Sequence, residues 1–319
     1  MSLAGDRKTA EPFIDEFGQA VLDGLSSSPR RIPCRYLYDA RGSELFEEIT
    51  QLEEYYPTRT EIGLLAEHGP EIAEMAGEDC ALVEFGSGSS RKTRILLEHM
   101  DRACAYVPID IDDTALEEAA QRLRADFPRL PLHPVHADFD QEIRLPEAIE
   151  GKPKLGFFPG STIGNFELDA ATRFLGRAGD LLGPGSALLI GADLQKDRET
   201  LIAAYDDAEG VTAEFTLNLV ERINRELDGT LDVGKFEHQA IYNEDAGRVE
   251  IYLVSRRDQE FEILGEPFAL ERGERIHVEN SHKYTIPQFR DLARRAEWAP
   301  EKVWTDGNEL FSIHYLVRN

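Results

Sequence analysis

Cysteine is scarce in this chain: three in 319 residues, at Cys34, Cys80 and Cys104. An odd, widely spaced set makes neither a disulfide framework nor a metal-ligand pair, and it suits a reducing cytoplasm, where we expect the protein to work. Long apolar runs are missing too. No stretch approaches the roughly 18 to 20 residues needed to cross a bilayer, and the opening MSLAGDRKTAEP has no apolar signal segment, so neither membrane insertion nor secretion is expected. Basic residues are few, with 35 Lys and Arg against 61 Asp and Glu and a formal charge of -26. Nucleic acid is therefore not an expected partner, because affinity for a phosphate backbone rests on Lys and Arg neutralising it. Signature motifs are absent as well. Without G-x-x-x-x-G-K-[ST] there is no P-loop, and without C-x-x-C or H-E-x-x-H no zinc or other metal is expected. In GSTIG, Thr162 stands where a nucleophile elbow needs serine, which argues against a hydrolase.

What is present is an alternation. From 81 to 195 the strings ALVEFGSG, RKTRILLEHM, AYVPIDI, DTALEEAAQRLRADF, LHPVHADF, KLGFFPGST, LDAATRFLGRAGDLL and SALLIGADL switch between strand-like and helical patterns, the signature of parallel βαβ units. Thr114 and Glu117 have capping-box spacing, and Leu116, Ala120, Leu123 and Phe127 share a helix face. Further on, Ala213 to Leu227 reads as a helix, and Phe236 to Asn243 with Arg248 to Arg256 as a hairpin, so 197–284 reads as an α+β insertion after the fifth strand. Pro287 to Trp298 reads as a helix with Thr285 near its N-cap, and EKVWTD and LFSIHYLVRN as closing strands. The expected fold class is α/β, with a Rossmann-like seven-stranded sheet formed by 59–196 and 285–319. Residues 1–58, with Phe13, Phe17, Val21 and Leu25 in helical spacing, pair with the insertion as a second α+β domain.

The strand ALVEF runs into Gly86, Ser87 and Gly88 and then a helix from about Arg91. Such a loop lets backbone approach a ligand at a helix N-terminus, though a tight turn alone would look the same. Asp110 ends the next strand, where a carboxylate accepts ribose hydroxyls, or alternatively caps a helix; Asp138 ends the third, facing an adenine amino group or only solvent. Together they imply an adenosine-containing cofactor. A dinucleotide fingerprint needs a third glycine where Arg91 stands, so S-adenosylmethionine, leaving as S-adenosylhomocysteine, remains.

The strings YLYDARGSELFEEIT, EEYYPTRTE, VEFGSGSSRKT, FFPGSTIGNF, AYDD, NRELDG and VENSHKYT resemble, in order and across nearly the whole chain, the histidine Nα-methyltransferase family of ergothioneine biosynthesis. The resemblance implies a class I S-adenosylmethionine-dependent methyltransferase with a separate substrate-binding domain, making N,N,N-trimethylhistidine (hercynine) by successive methylations. It implies cofactor contacts from Tyr38, Gly86, Ser87, Gly88, Lys92, Asp110 and Asp138. Tyr56, Asn165 and Tyr205 are implied as holders of the substrate's amino and carboxylate groups, with Tyr38 close to both ligands. Tyr56 and Asn165 carry the catalytic placement, and Glu279 and Ser281 hydrogen-bond the imidazole. Each has a plainer alternative: Tyr55 or Tyr56 as a core aromatic (Tyr55 the better candidate), Asn165 as cap of a helix starting at Phe166, Tyr205 as packing, Glu279 as a strand-edge charge. Ile251 and His282 depart from the family pattern beside the imidazole. They leave open another amino acid, such as a tryptophan derivative, although a Glu-x-Ser clamp suits imidazole better than indole. A nucleotide-dependent oxidoreductase and a non-catalytic binding module are the more distant alternatives. The expected partner is a small molecule, L-histidine, bound by a monomer.

Overall fold

The computed structural model describes residues 15–86, 88, 90–111, 113–137 and 143–319. In chain order, helices α1 (Glu16–Ser26), α2 (Ala40–Ile49) and α3 (Tyr56–Ala76) lead into β1 (Ala81–Phe85), α4 (Arg91–His99), β2 (Ala105–Asp110), α5 (Asp113–Asp126) and β3 (Val135–His136). Then come β4 (Lys154–Phe158), α6 (Leu168–Leu182), β5 (Ala187–Asp193), α7 (Arg198–Tyr205) and α8 (Val211–Glu226). Five strands follow, β6 (Phe236–Asn243), β7 (Arg248–Ser255), β8 (Gln259–Ile263), β9 (Glu266–Leu270) and β10 (Arg275–His282), before α9 (Ile286–Arg295), β11 (Trp298–Thr305) and β12 (Phe311–Arg318).

A seven-stranded sheet runs β11-β12-β5-β4-β1-β2-β3. Its five consecutive strands β1 to β5 pair in parallel, while β12 is antiparallel to both β5 and β11. A parallel sheet covered on both faces calls for strands apolar throughout. β1 and β5 are buried along their whole length. On one face Val83, Phe85, Val107, Phe158 and Ile190 pack with Phe174 and Leu175 of α6 and Phe289 and Leu292 of α9. On the other, Leu82, Tyr106, Leu155, Phe157 and Leu189 meet Leu64, Leu65 and Ile72 of α3 and Leu96 and Leu97 of α4. Each such side chain contributes about 1.5–3 kcal/mol through burial. The strand order reverses at β1, between β2 and β4, which opens the crevice at the carboxyl edge where such sheets bind ligands.

Two compact units divide the chain. One comprises Glu44–Thr212, Ala240–Ile251 and Glu279–Asn319, the other the described residues up to Ser43 with Ala213–Gln239 and Tyr252–Val278. Residues 44–58 and 197–212, grouped by the sequence with the second domain, fall in the unit of the large sheet, where α3 packs directly against the strands. In the smaller unit Phe17 packs against Tyr36 with the rings tilted by 41° and centroids 4.8 Å apart, beneath the Arg222 guanidinium. There β8 and β9 pair through Leu264 and Gly265, both at positive φ, as a tight hairpin requires. β6, β7 and β10 form a three-stranded sheet in the order β10-β7-β6. Among the described residues no helix is long and apolar enough to cross a membrane.

Element ends differ from the sequence reading by a few residues in several places, of which three bear on caps and site residues. α5 starts at Asp113, so Thr114 lies inside the helix, and its side chain is outside the described part of the structure. α6 starts at Leu168 with Glu167 at its N-cap, not at Phe166. α9 stops at Arg295, because Glu297 adopts a left-handed φ of 63° and Trp298 turns in to open β11, its indole N–H donating to the Leu175 carbonyl at 2.8 Å. Its N-cap is as expected: Thr285 and Gln288 close a capping box.

Candidate active site

At the carboxyl edge, β1 runs into Gly86, whose N–H donates to the Ile109 carbonyl at 2.8 Å and whose φ of 82° suits glycine. Gly88 follows at φ 41°, and a Cβ placed there would meet nothing within 4 Å. Gly86 and Gly88 thus form a glycine cradle between β1 and the start of α4, with Asp110 at the end of neighbouring β2. A glycine turn at a helix start and a carboxylate one strand over are the chemistry that suits the methionine tail and ribose of S-adenosylmethionine. Ser87 and Asp138 lie outside the described residues. Lys92, on the first turn of α4, places its ammonium 2.6 Å from Glu61, a carboxylate buried on α3. Glu61 also accepts the Gly160 N–H at 2.8 Å, so one buried anion ties α3, α4 and the turn after β4 together.

Behind this cradle Glu84 of β1 points into the α3–α4 side of the sheet. It accepts from Thr93 Oγ1 at 2.6 Å and from the Tyr106 hydroxyl, and burial pushes its carboxyl up to about 8.

Further along the same edge lies a polar network. Tyr56, the first residue of α3, donates its hydroxyl to Asp193 at 2.8 Å and accepts from Lys196 Nζ at 2.6 Å. Asp193 ends β5 and is flanked by Lys196 Nζ on one oxygen and Lys283 Nζ on the other, each at 2.7 Å. Lys283 also donates to the Tyr205 hydroxyl at 2.7 Å and to Ser281 Oγ at 2.8 Å, and those two oxygens lie 2.8 Å from each other. Burial holds the Tyr56 and Tyr205 phenols well above their usual range, with the Asp193 charge adding to it, so both keep their protons. Lys196 is pulled down to about 8 by burial, against the opposing attraction of Asp193.

Asn165 ends the 3-10 turn Thr162–Asn165 and donates Nδ2 to Glu279 Oε1 at 3.0 Å. It does not cap α6. Glu279 is buried, which raises its carboxyl to about 7 against the lowering influence of Lys283. Tyr55 is edge-on to Phe46 and Tyr205 at 6.1 Å from each, and both it and Tyr56 are buried. Ile251 is buried on β7. His282, alternating with Ser281 along β10, turns away and donates Nδ1 to the Gly164 carbonyl at 3.0 Å. It therefore braces the turn that carries Asn165. Tyr38 belongs to the smaller unit, where its ring meets Phe215 edge-on at 5.3 Å.

Tyr56, Tyr205 and Ser281 are thus brought into one network, and Asn165 is joined to Glu279. The residues that link the first set, Asp193, Lys196 and Lys283, are not among those the sequence reading singled out, nor is Glu61. A signal for two of them was present. Asp193 ends a sheet strand as Asp110 does, and Lys283 continues the Glu279, Ser281 spacing of two that puts side chains on one strand face. Nothing in the helical stretch around Glu61 marks it out.

The family described as histidine-specific methyltransferase, SAM-dependent, matches residues 17–318. The chain belongs to this family. It is 38% identical over 320 residues to the histidine N-alpha-methyltransferase of Mycolicibacterium smegmatis, covering 97% of each chain. With the enzyme of that name from Mycobacterium tuberculosis it shares 38% over 296 residues, 90% of each. It is 33% identical to ergothioneine biosynthesis protein 1 of Neurospora crassa over 91% of this chain and 33% of that one. As a family member it is an S-adenosylmethionine-dependent N-methyltransferase built on the class I fold, and its substrate is a small molecule.

Proposed function

We propose that this methyltransferase transfers methyl groups to the α-amino nitrogen of L-histidine, in three rounds, to give N,N,N-trimethylhistidine for ergothioneine biosynthesis. The observation that carries the reading is the Asn165–Glu279 hydrogen bond beside the Tyr56, Tyr205 and Ser281 hydroxyls, in a chain of this family. Glu279 and Ser281 would take the imidazole, and Tyr56, Asn165 and Tyr205 the amino and carboxylate groups. Gly86, Gly88, Lys92 and Asp110 would hold S-adenosylmethionine, which supplies an electrophilic methyl on a sulfonium, with Tyr38, Ser87 and Asp138 assigned to the same ligand by resemblance.

The reaction needs a neutral amine lone pair in line with the methyl carbon and no covalent nucleophile. Placing the two near contact contributes about 7 to 11 kcal/mol by removing translational and rotational freedom beforehand. The phenols of Tyr56 and Tyr205, themselves neutral, fix the amine by hydrogen bonding, and water takes the proton between rounds. Aromatic rings accommodate the growing methylammonium, at roughly 0.5–2 kcal/mol each. Both rings already lie under an ammonium, Tyr56 under Lys196 at 4.3 Å and Tyr205 under Lys283 at 4.5 Å. Glu279, near 7, matches the imidazole's own ionisation near pH 6.5, so a shared hydrogen bond persists across neutrality. We assign action to a cytoplasmic monomer, with 1–58 and 197–284 contributing to substrate binding.

The test is mass spectrometry of the purified protein with S-adenosylmethionine and each of the twenty amino acids in turn. A three-methyl product from histidine alone is expected. Methylation of tryptophan instead would replace histidine as substrate and make Ile251 and its neighbours the determinants of the pocket.

A further inference from the structure

We propose that Asp193 and Lys283 are positioning residues for the acceptor's amino group, a buried ion pair that dictates which hydroxyls of the site donate hydrogen and which accept it. The inference rests on the assignment of Tyr56 to that amino group. Both side chains are wholly buried, 2.7 Å apart. An ammonium has three hydrogens. Those of Lys283 meet Asp193 Oδ2, the Tyr205 oxygen and Ser281 Oγ, so Lys283 has none to spend on a substrate carboxylate and acts through its neighbours.

Tyr56 carries a single hydroxyl hydrogen, and it is directed at Asp193, with the two carboxylate oxygens 2.9 and 2.8 Å away. Its oxygen meanwhile accepts from Lys196 at 2.6 Å. A phenol committed in this way can meet an incoming amine only as an acceptor of the amine's N–H. That polarity matters to the reaction. The amine lone pair must stay open for the methyl carbon, and a phenol free to donate would bond to that same lone pair and quench it. Asp193 forbids this arrangement, and Lys283 keeps Asp193 ionised and aimed while pinning Tyr205 and Ser281 at their oxygens. Lys196 binds the other carboxylate oxygen, and Glu279 lies within electrostatic range of Lys283.

The experiment uses the full chain with tyrosines carbon-13 labelled at Cζ, the Tyr56 and Tyr205 resonances being assigned with Tyr56→Phe and Tyr205→Phe. In Asp193→Asn the Tyr56 resonance is expected to shift, and kcat for histidine to fall at least tenfold with the Kd for S-adenosylmethionine within twofold of the parent. Because a lone change in a buried ion cluster can cost folding, a charge-balanced variant, Asp193→Asn with Lys283→Met, removes one charge of each sign. It is expected to melt near the parent yet remain slow. An unmoved Tyr56 resonance, or parental turnover in the balanced variant, overturns the proposal. If the parent methylates no amino acid, the substrate reading falls. The resonance shift, which needs no substrate, still decides the hydrogen-bond polarity.

Discussion

Asn165 reaches from the turn after β4 to donate its amide to Glu279 on β10, 3.0 Å away. The contact draws together a group assigned to the amino end of the substrate and one assigned to its ring, so the two recognition elements share a hydrogen bond. Changing either disturbs both ends of the same ligand.

Glu279→Ala follows from this directly. The variant loses the imidazole acceptor and leaves the Asn165 amide without its partner, a cost of about 1–3 kcal/mol. Histidine turnover is expected to drop at least about tenfold, with selectivity over tryptophan relaxed. Steady-state kcat/KM for the two amino acids checks it. An unchanged histidine-to-tryptophan ratio would remove Glu279 from substrate choice.

Tyr56→Phe deletes one hydroxyl from the network while Lys196 and Lys283 continue to pair with Asp193 at 2.7 Å. The fold should therefore survive. Loss of a hydrogen bond to a charged group, about 1.5–3 kcal/mol, predicts methylation slowed roughly ten- to a hundredfold. A mass-resolved time course of mono-, di- and trimethylated products reads each round separately, and parental rates in all three would dismiss Tyr56 from the amine site.

Glu84 makes a stability prediction with a definite sign. Burial raises its carboxyl from near 4.5 to about 8, so the folded protein binds a proton that the unfolded chain has released above pH 4.5. The contribution is fully present below about pH 4.5 and is lost as pH climbs towards 8. Glu84→Gln, which cannot ionise, should flatten the decline in unfolding free energy between those limits. Urea titrations at pH 5 and pH 8 measure it. An equal slope in parent and variant would show that Glu84 is not protonated in the native state.

Two glycines separate packing from ligand space. At Gly191 a Cβ would fall 2.1 Å from Glu61 Oε1 and 3.0 Å from the Phe311 ring, so Gly191→Ala should displace the Glu61–Lys92 pair. A cost of about 1–3 kcal/mol is expected, seen as a lowered Tm. At Gly88 the same methyl would project into open space, on a backbone at φ 41°. Gly88→Ala should accordingly weaken S-adenosylmethionine binding, measured by calorimetry, by a larger factor than the fold is destabilised. The reverse ranking would move the cofactor away from this loop.

The sequence by itself determined the sheet. Alternating strand and helix patterns, with apolar runs such as ALVEF and SALLIGAD, can bury both strand faces only as a helix-covered parallel sheet, and the glycine loop and Asp110 sit at its carboxyl edge as a consequence of strand order. Long motifs likewise marked Tyr56, Asn165, Tyr205, Glu279 and Ser281, because their residue strings are specific. The wiring between them was decided only in three dimensions. Tyr56 meets Asp193 across 137 residues, Asp193 meets Lys283 across 90, and Lys92 finds Glu61 on another helix. Local pattern carries periodicity, which one element expresses alone. A buried charge is stabilised by whichever partner the packed sheet brings within 3 Å, and that partner has no fixed spacing in the chain.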